Sequence, residues 1–101
     1  MNIRIRENRA LALEDEDNFK GFCIRAQDSN TDLDALDGIT KRVEEGKYWL
    51  DALAVIALSS KSTEQIWLDQ FWAMLAGAEP YGYADVNAQL VRAHIEYDTQ
   101  D

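Results

Sequence analysis

One strongly apolar stretch, residues 47–77, constrains the fold of this chain more than any other feature. It contains all three tryptophans of the chain, Trp49, Trp67 and Trp72. Residues 48–58 include a single charged side chain and are dominated by Ala and Leu, a composition that favours a helix over a buried strand. The sequence therefore predicts a helix over residues 47–59, which the rest of the chain must cover on most sides because it is apolar nearly all round.

A second helix is predicted over residues 63–76. Ser62 and Gln65 have the spacing of a capping box, and Gly77 followed by Pro80 is a typical end signal. Between these signals the apolar residues recur at helical spacing. The simplest interpretation of the tryptophans is core packing, and the alternative exposes one of them as an anchor at an interface, where Trp is common.

Alternation of apolar and polar residues near the N-terminus indicates strands. Three strands are predicted, over residues 2–7, 10–14 and 19–26, with Ile3 and Ile5 on the buried face of the first. The turns between them are short and polar, which favours an antiparallel meander. Such a sheet needs an apolar layer on one face, and the predicted helices would provide it.

Two further helices are predicted, over residues 31–45 and 85–97. Thr31 and Asp85 are suitable N-caps, although Gly38 lies inside the first pattern and could break that helix. The chain is long enough for one ordinary core. The expected fold is therefore α+β, a single domain over residues 1–101 with a small antiparallel N-terminal sheet of two or three strands packed against three to four α-helices.

Several kinds of chemistry find no support in the sequence. Asp28-x-Asn30-x-Asp32 matches the start of a calcium loop, but Leu33 stands where that loop requires Gly. His94 is the only histidine and Cys23 the only cysteine, so neither a multi-histidine nor a cysteine-based metal site is expected. We expect no catalytic residues, no cofactor and no metal, and therefore no enzyme.

The location of the protein is also constrained. The chain lacks both the long apolar segment of a signal peptide and an apolar stretch of about 20 residues that could cross a membrane. Its single cysteine cannot form an intrachain disulfide and is expected to be a small buried hydrophobe. These features favour a cytoplasmic protein without membrane contact.

Charge is the most informative functional feature of the sequence. The formal net charge is −9, and the whole acidic excess lies in residues 26–101, which contain five basic and fourteen acidic side chains. Direct binding to nucleic acid is disfavoured because phosphate contacts require Lys and Arg. An acidic surface instead attracts a basic protein and accelerates encounter with it.

A partner-binding surface is predicted from this charge pattern and from two tyrosines in a loop. Its acidic members are Asp28, Asp32, Asp34, Asp37, Glu44 and Glu45. Tyr81 and Tyr83 would serve as apolar anchors, since charges at the rim of an interface supply rate and orientation more than affinity. The alternative is that these acids form a solvated surface that keeps a small protein soluble.

In size, acidity, expected cytoplasmic location and lack of catalytic residues, the chain resembles the small phage-encoded inhibitors of bacterial defence, which include anti-CRISPR and DNA-mimic antirestriction proteins. The resemblance is to a class and includes no motif. It implies a non-enzymatic inhibitor that binds a basic, nucleic-acid-handling protein in the host cytoplasm and blocks nucleic-acid binding. Two alternatives are left open: an immunity or antitoxin-type partner, and a homo-oligomeric structural subunit.

Overall fold

The computed structural model describes residues 1–99. Within them, eight strands form two four-stranded sheets, and the helical elements are two α-helices and two short 3-10 helices. The strands are β1 (Asn2–Ile5), β2 (Leu11–Glu14), β3 (Cys23–Ala26), β4 (Thr40–Glu44), β5 (Lys47–Asp51), β6 (Ala84–Asp85), β7 (Leu90–Ala93) and β8 (Ile95–Tyr97). The α-helices are α1 (Ala52–Leu58) and α2 (Gln65–Ala78), and the 3-10 helices are Leu33–Leu36 and Glu79–Tyr81.

The first sheet has the strand order β2-β1-β3-β8. β1 and β2 form an antiparallel hairpin, whereas β3 runs parallel to β1 and β8 runs parallel to β3. The predicted antiparallel meander is therefore wrong at its third strand. The physical reason is that residues 15–22 are not a tight turn: they carry the chain past β1, so that β3 starts beside Asn2 and runs in the same direction.

The second sheet is antiparallel throughout and has the order β4-β5-β7-β6. Only His94 separates β7 from β8, so the chain passes directly from one sheet into the other. The carbonyl of His94 accepts a hydrogen bond from the backbone N–H of Ile24 at 2.9 Å. This junction fixes the two sheets next to each other, with His94 at their boundary.

The core lies between the sheets and α2. Ile3 and Ile24 from the first sheet and Leu50 from the second are fully buried, as is Phe71 of α2. The ring of Phe71 stacks on Trp67 with centroids 5.4 Å apart. Trp49 and Trp67 are buried and Trp72 is half-buried against Phe71, so the core-packing interpretation describes the tryptophans.

The predicted fold class is wrong, because a small sheet on three to four helices is replaced by two sheets with only two α-helices in the described residues. The helix predicted over residues 31–45 is a single 3-10 turn followed by β4. Asp32, and not the predicted Thr31, caps that turn. The chain leaves the turn at Gly38, and the Thr40 hydroxyl donates a hydrogen bond back to the Leu36 carbonyl at 2.8 Å. The local cap therefore stabilises one turn and no more.

The helix predicted over residues 47–59 begins five residues late. Its first part is β5, which pairs with β4 through a two-residue turn at Glu45 and Gly46, whose φ angles are 52° and 76°. Positive φ at both positions is the backbone of the tight hairpin turn that suits twisted strands. Asp51 then caps α1 by accepting a hydrogen bond from the Leu53 N–H.

The helix predicted over residues 85–97 is absent, since this segment forms the end of β6 and the whole of β7 and β8. Val91, Ala93 and Ile95 recur at the two-residue period of a strand, and Val91 and Ala93 are buried. The helix predicted over residues 63–76 is α2, although Glu64 rather than Ser62 is its N-cap and supplies no side-chain hydrogen bond. Of the helices in residues 1–99, none is long and apolar enough to cross a membrane.

Candidate functional site

Many of the acidic side chains are already paired within the protein. On the outer face of the first sheet, Asp98 accepts hydrogen bonds from both Arg4 and Arg25, the latter at 2.9 Å, and Arg4 also bonds to Glu14 at 3.2 Å. The hydrogen bonds from Arg4 and Arg25 lower the pKa of Asp98. These carboxylates hold adjacent strands together and are not available as a free negative surface.

Cys23 lies on the same outer face of the first sheet, and its thiol is poorly ionised at neutral pH. Burial, followed by a hydrogen bond with Glu96, raises the pKa of its thiol to about 11. The same hydrogen bond is the main cause of a lowered pKa at Glu96, and His94 adds to it. Because the thiolate is the nucleophilic form, Cys23 is unsuited to covalent catalysis at neutral pH.

The four predicted aspartates lie in the connection between β3 and β4. Asp28 and Asp32 each accept a hydrogen bond at 2.9 Å from the backbone N–H two residues further on, and Asp32 also pairs with Arg9 at 3.2 Å. Asp34 and Asp37 are exposed and form no ion pair with a base of residues 1–99. Of the four, therefore, Asp34 and Asp37 remain most available to a partner.

The two predicted glutamates are remote from that connection. Glu44 and Glu45 lie at the tip of the β4–β5 hairpin, whereas Asp37 precedes the opposite end of β4. Four residues of extended chain separate Thr40 from Glu44 by roughly 13 Å. Glu44 also forms an ion pair with Arg42. The structure thus divides the predicted acidic surface into at least two parts.

The fold assembles an acidic group that combines two of the predicted aspartates with two that the sequence pattern does not indicate. Asp51 and Asp85 oppose Leu90 from its two sides, because β5 and β6 both pair with β7. The Asp51 N–H donates to the Ile39 carbonyl at 2.8 Å, and Asp37 lies two residues before Ile39. We call this group the acidic edge. Its four members are Asp34, Asp37, Asp51 and Asp85.

No member of the acidic edge forms an ion pair with a basic group in the part of the chain that the structure describes. Asp51 caps α1, and Asp85 accepts a hydrogen bond from the Ala88 N–H at 3.0 Å, so these two also stabilise local structure. Sequence spacing gives no signal that Asp51 and Asp85 belong with Asp34 and Asp37, because Asp51 and Asp85 approach each other only through the pairing of β5 and β6 with β7.

Tyr81 and Tyr83 lie elsewhere, at a groove with a volume of about 670 Å³. The groove is bounded by the C-terminal half of α2, by β7 and by residues 19–22. Tyr81 is 77% exposed and Tyr83 is 52% exposed. The Cζ atom of Arg92 is 4.6 Å from the centroid of the Tyr83 ring. Tyr83 therefore contacts a basic side chain, and both tyrosines lie apart from the acidic residues with which they were predicted to form one surface.

The groove has an unusual lining for so acidic a protein. Its walls are apolar, with Phe19 and Met74 among them, and its polar rim contains Lys20, Lys47 and Arg92 as well as His94. No Asp or Glu of the described residues lines it. This cationic groove has no signature in the sequence, because Lys20, Lys47 and Arg92 come from three separate segments of the chain.

Residues 1–99 contain no group of three or more His, Cys, Asp or Glu side chains placed to hold a metal ion. Comparison of the chain with protein-family models, with curated proteins and with solved structures finds no match. The arrangement of side chains is consequently the only basis for assigning a function.

Proposed function

We propose that the protein is a non-enzymatic inhibitor that binds a basic, nucleic-acid-handling protein through its acidic edge and so blocks nucleic-acid binding. The supporting observation is a group of four aspartates without ion pairs to bases of residues 1–99. Asp51 and Asp85 lie at one end of the second sheet, and Asp34 and Asp37 lie in the connection that precedes β4. Negative charge at this edge resembles in sign the phosphate backbone that such a partner normally binds.

The acidic edge also has an apolar neighbour. Leu53, two residues beyond Asp51, is 50% exposed although it is a large hydrophobic side chain. Charges at the rim of an interface mainly increase the rate of association, whereas desolvated apolar anchors supply affinity. In this proposal Leu53 contributes apolar contact and Asp34 and Asp37 contribute charge.

A retention assay with matched variants tests the proposal. The protein is immobilised and exposed to host lysate, and the retained nucleic-acid-binding proteins are identified at salt concentrations of about 0.05 and 0.5 M. Asp34→Asn/Asp37→Asn should lose the partner, and high salt should release it from the unsubstituted protein. Glu7→Gln/Glu64→Gln removes the same charge from exposed residues outside the edge and should keep it.

Purified partner then allows the mechanism to be checked. Addition of the protein should displace a labelled oligonucleotide from the partner, and the Asp34→Asn/Asp37→Asn variant should displace it at least tenfold less well. Retention that is equal at both salt concentrations, or equal for the two double variants, would contradict the proposal. An immunity or antitoxin-type role would use the same edge and differs only in the identity of the enzyme captured.

A homo-oligomeric subunit is the second candidate, and exposed apolar side chains favour it. Ile66 of α2 is 78% exposed, and Val43 is 55% exposed on β4, an edge strand of the second sheet. An edge strand can pair with a second copy of the chain, although charges and bulges oppose this. A stable oligomer in light scattering, lost on Val43→Glu, would favour this candidate over the inhibitor.

A further inference from the structure

We propose that the cationic groove between α2 and β7 binds a small organic carboxylate with an apolar body. This inference is independent of the proposed function, because the groove contains none of the four aspartates of the acidic edge. The occupant follows from three properties of the groove: its size, its apolar walls and its charge.

The size and walls suit a small molecule. A volume of about 670 Å³ lies within the range of sites that enclose drug-sized ligands, about 300–1,000 Å³. Phe19, Phe22 and Met74 line it together with small side chains of α2 such as Ala73 and Ala78. Such walls hold an aromatic or aliphatic body by removing apolar surface from water.

The charge selects an anion. Lys20, Lys47 and Arg92 line the groove, and none of them forms an ion pair with a carboxylate of residues 1–99. Acidic side chains outnumber Lys and Arg by 19 to 10 in this chain, yet among the described residues the groove is lined by three basic side chains and by no Asp or Glu. A bound carboxylate would supply the negative charge that the protein does not place there.

Arg92 is held ready for such a contact. Its guanidinium carbon lies over the ring of Tyr83 at 4.6 Å from the centroid, and its backbone N–H donates to the Tyr83 carbonyl at 2.8 Å. The guanidinium N–H groups donate no hydrogen bond to another group of residues 1–99, so its N–H edge is left for a ligand. That edge matches a carboxylate in bidentate geometry, which is stronger than a neutral hydrogen bond.

The same features disfavour a nucleic acid as the occupant. A phosphate backbone needs a continuous basic track, whereas three cations around one concave groove form a local site. A strand leaving the groove would also meet a protein of net charge −9, which repels a polyanion. A small monoanion experiences the local cations and little of this long-range repulsion at physiological salt, because the screening length is about 8 Å.

The test uses a probe and its neutral isostere, 1-naphthaleneacetate and 1-naphthaleneacetamide. Each is titrated into the ¹⁵N-labelled protein, and backbone amide shifts are followed by NMR. The carboxylate should shift the resonances of Ala73, Ala78, Arg92 and His94 and should bind at least tenfold more tightly than the amide. Equal affinity for the two probes, or shifts outside the groove only, would overturn the proposal.

Variants separate charge from shape. Arg92→Gln and Lys47→Gln should each weaken binding of the carboxylate at least fivefold and leave the weak binding of the amide unchanged. Lys41→Gln removes a positive charge on β4, outside the groove, and should change neither affinity. If Lys41→Gln weakens the carboxylate as much as Lys47→Gln does, binding reflects overall charge and the proposal is wrong.

A third variant fills the groove without altering charge. Gly77 lines the groove, and a Cβ atom at this position would meet no atom within 4 Å. Gly77→Leu should therefore fold normally, and its side chain should weaken binding of both probes at least fivefold by occupying space. Full binding of the carboxylate by a folded Gly77→Leu variant would contradict the assigned location.

Discussion

The guanidinium of Arg92 lies over the ring of Tyr83 at 4.6 Å, and a backbone hydrogen bond of 2.8 Å joins the same two residues. The pair connects β7 to the chain just before β6 and fixes one side of the cationic groove. Tyr83 is about half exposed, so the tyrosine is held in place by this stacking more than by burial.

Removal of the ring should therefore have a small, specific cost. We expect Tyr83→Leu to lower the free energy of unfolding by about 0.5–1 kcal/mol, the usual strength of an exposed cation–π contact. Tyr83→Phe keeps the ring and should leave stability unchanged. Urea denaturation monitored by tryptophan fluorescence measures both, and equal losses for the two variants would show that the hydroxyl, not the stacking, matters.

Phe71 should be far more sensitive to truncation. It is fully buried and contacts both Trp67 and Trp72, with ring centroids 5.4 and 5.6 Å away. Phe71→Ala removes these contacts and leaves a cavity, so we expect a loss of about 3–5 kcal/mol in the free energy of unfolding. Ile66→Ala, on the exposed side of the same helix, should change it by less than about 0.5 kcal/mol; a comparable loss at Ile66 would place that residue in a protein interface.

The sequence predicted the parts of the fold that depend on local pattern. Alternation around Ile3 and Ile24 indicated strands that are present, and the apolar spacing around Phe71 indicated α2. The helices predicted over residues 31–45 and 85–97 are wrong for the same reason. In residues 33–43 and 86–97, the spacing of the apolar residues fits a helix as well as it fits short strands. Pairing with β5 decides between them, and such long-range pairing leaves no mark on local spacing.

The candidate site was less predictable than the fold. The sequence predicts a helix at Asp51 and a helix cap at Asp85. In the structure the two residues lie on the strands that flank β7, and both pair with Leu90. Lys20, Lys47 and Arg92 were scattered through the sequence and became a site only through the position of β7 against α2. The composition gives the net charge of the chain, but it does not show that acidic and basic side chains lie on different parts of the surface, the acidic edge and the cationic groove.

The conformation of the β4–β5 turn can be tested by replacing Gly46 and, as a control, Gly38 with alanine. Gly46 has φ of 76°, a conformation that L-residues adopt at a cost, and the preceding Glu45 already has φ of 52°. We expect Gly46→Ala to lower the free energy of unfolding by about 1–2 kcal/mol. Gly38 has no positive φ and room for a Cβ atom, so Gly38→Ala should be neutral or slightly stabilising. The reverse ranking would show that Gly46 does not occupy the positive-φ position of a tight turn.

The ion pairs of Asp98 with Arg4 and Arg25 should make the thermal stability of the protein depend on pH at acidic pH. Hydrogen bonds from Arg4 and Arg25 lower the pKa of Asp98 in the folded protein below its ordinary 3.8. A lowered folded-state pKa means that the stabilisation is present above the unfolded-state pKa and is lost as pH falls through the folded-state value. The Tm of the unsubstituted protein should therefore exceed that of Asp98→Asn at pH 7, and the difference should shrink progressively as the pH falls below 3.8.

Glu64→Gln provides the control for that measurement. Glu64 is exposed and forms no ion pair with a base of residues 1–99, so its substitution should leave the dependence of Tm on pH unchanged. A Tm difference between the unsubstituted protein and Asp98→Asn that persists unchanged to pH 2 would show that the carboxylate charge is not what Arg4 and Arg25 recognise.

Cys23 should react slowly with alkylating agents in the folded protein. Burial and the hydrogen bond with Glu96 raise the pKa of the thiol from 9.0 to about 11, which reduces the thiolate fraction at pH 8 by about 100-fold. Reaction with iodoacetamide, followed by mass spectrometry, should be at least tenfold slower than reaction of the urea-unfolded chain, because the higher nucleophilicity of a high-pKa thiolate offsets part of the lost ionisation. Glu96→Gln should react somewhat faster, because the negative charge that opposes ionisation of the thiol has been removed. Equal rates for the folded and unfolded protein would mean that neither burial nor the Glu96 carboxylate suppresses ionisation of the thiol.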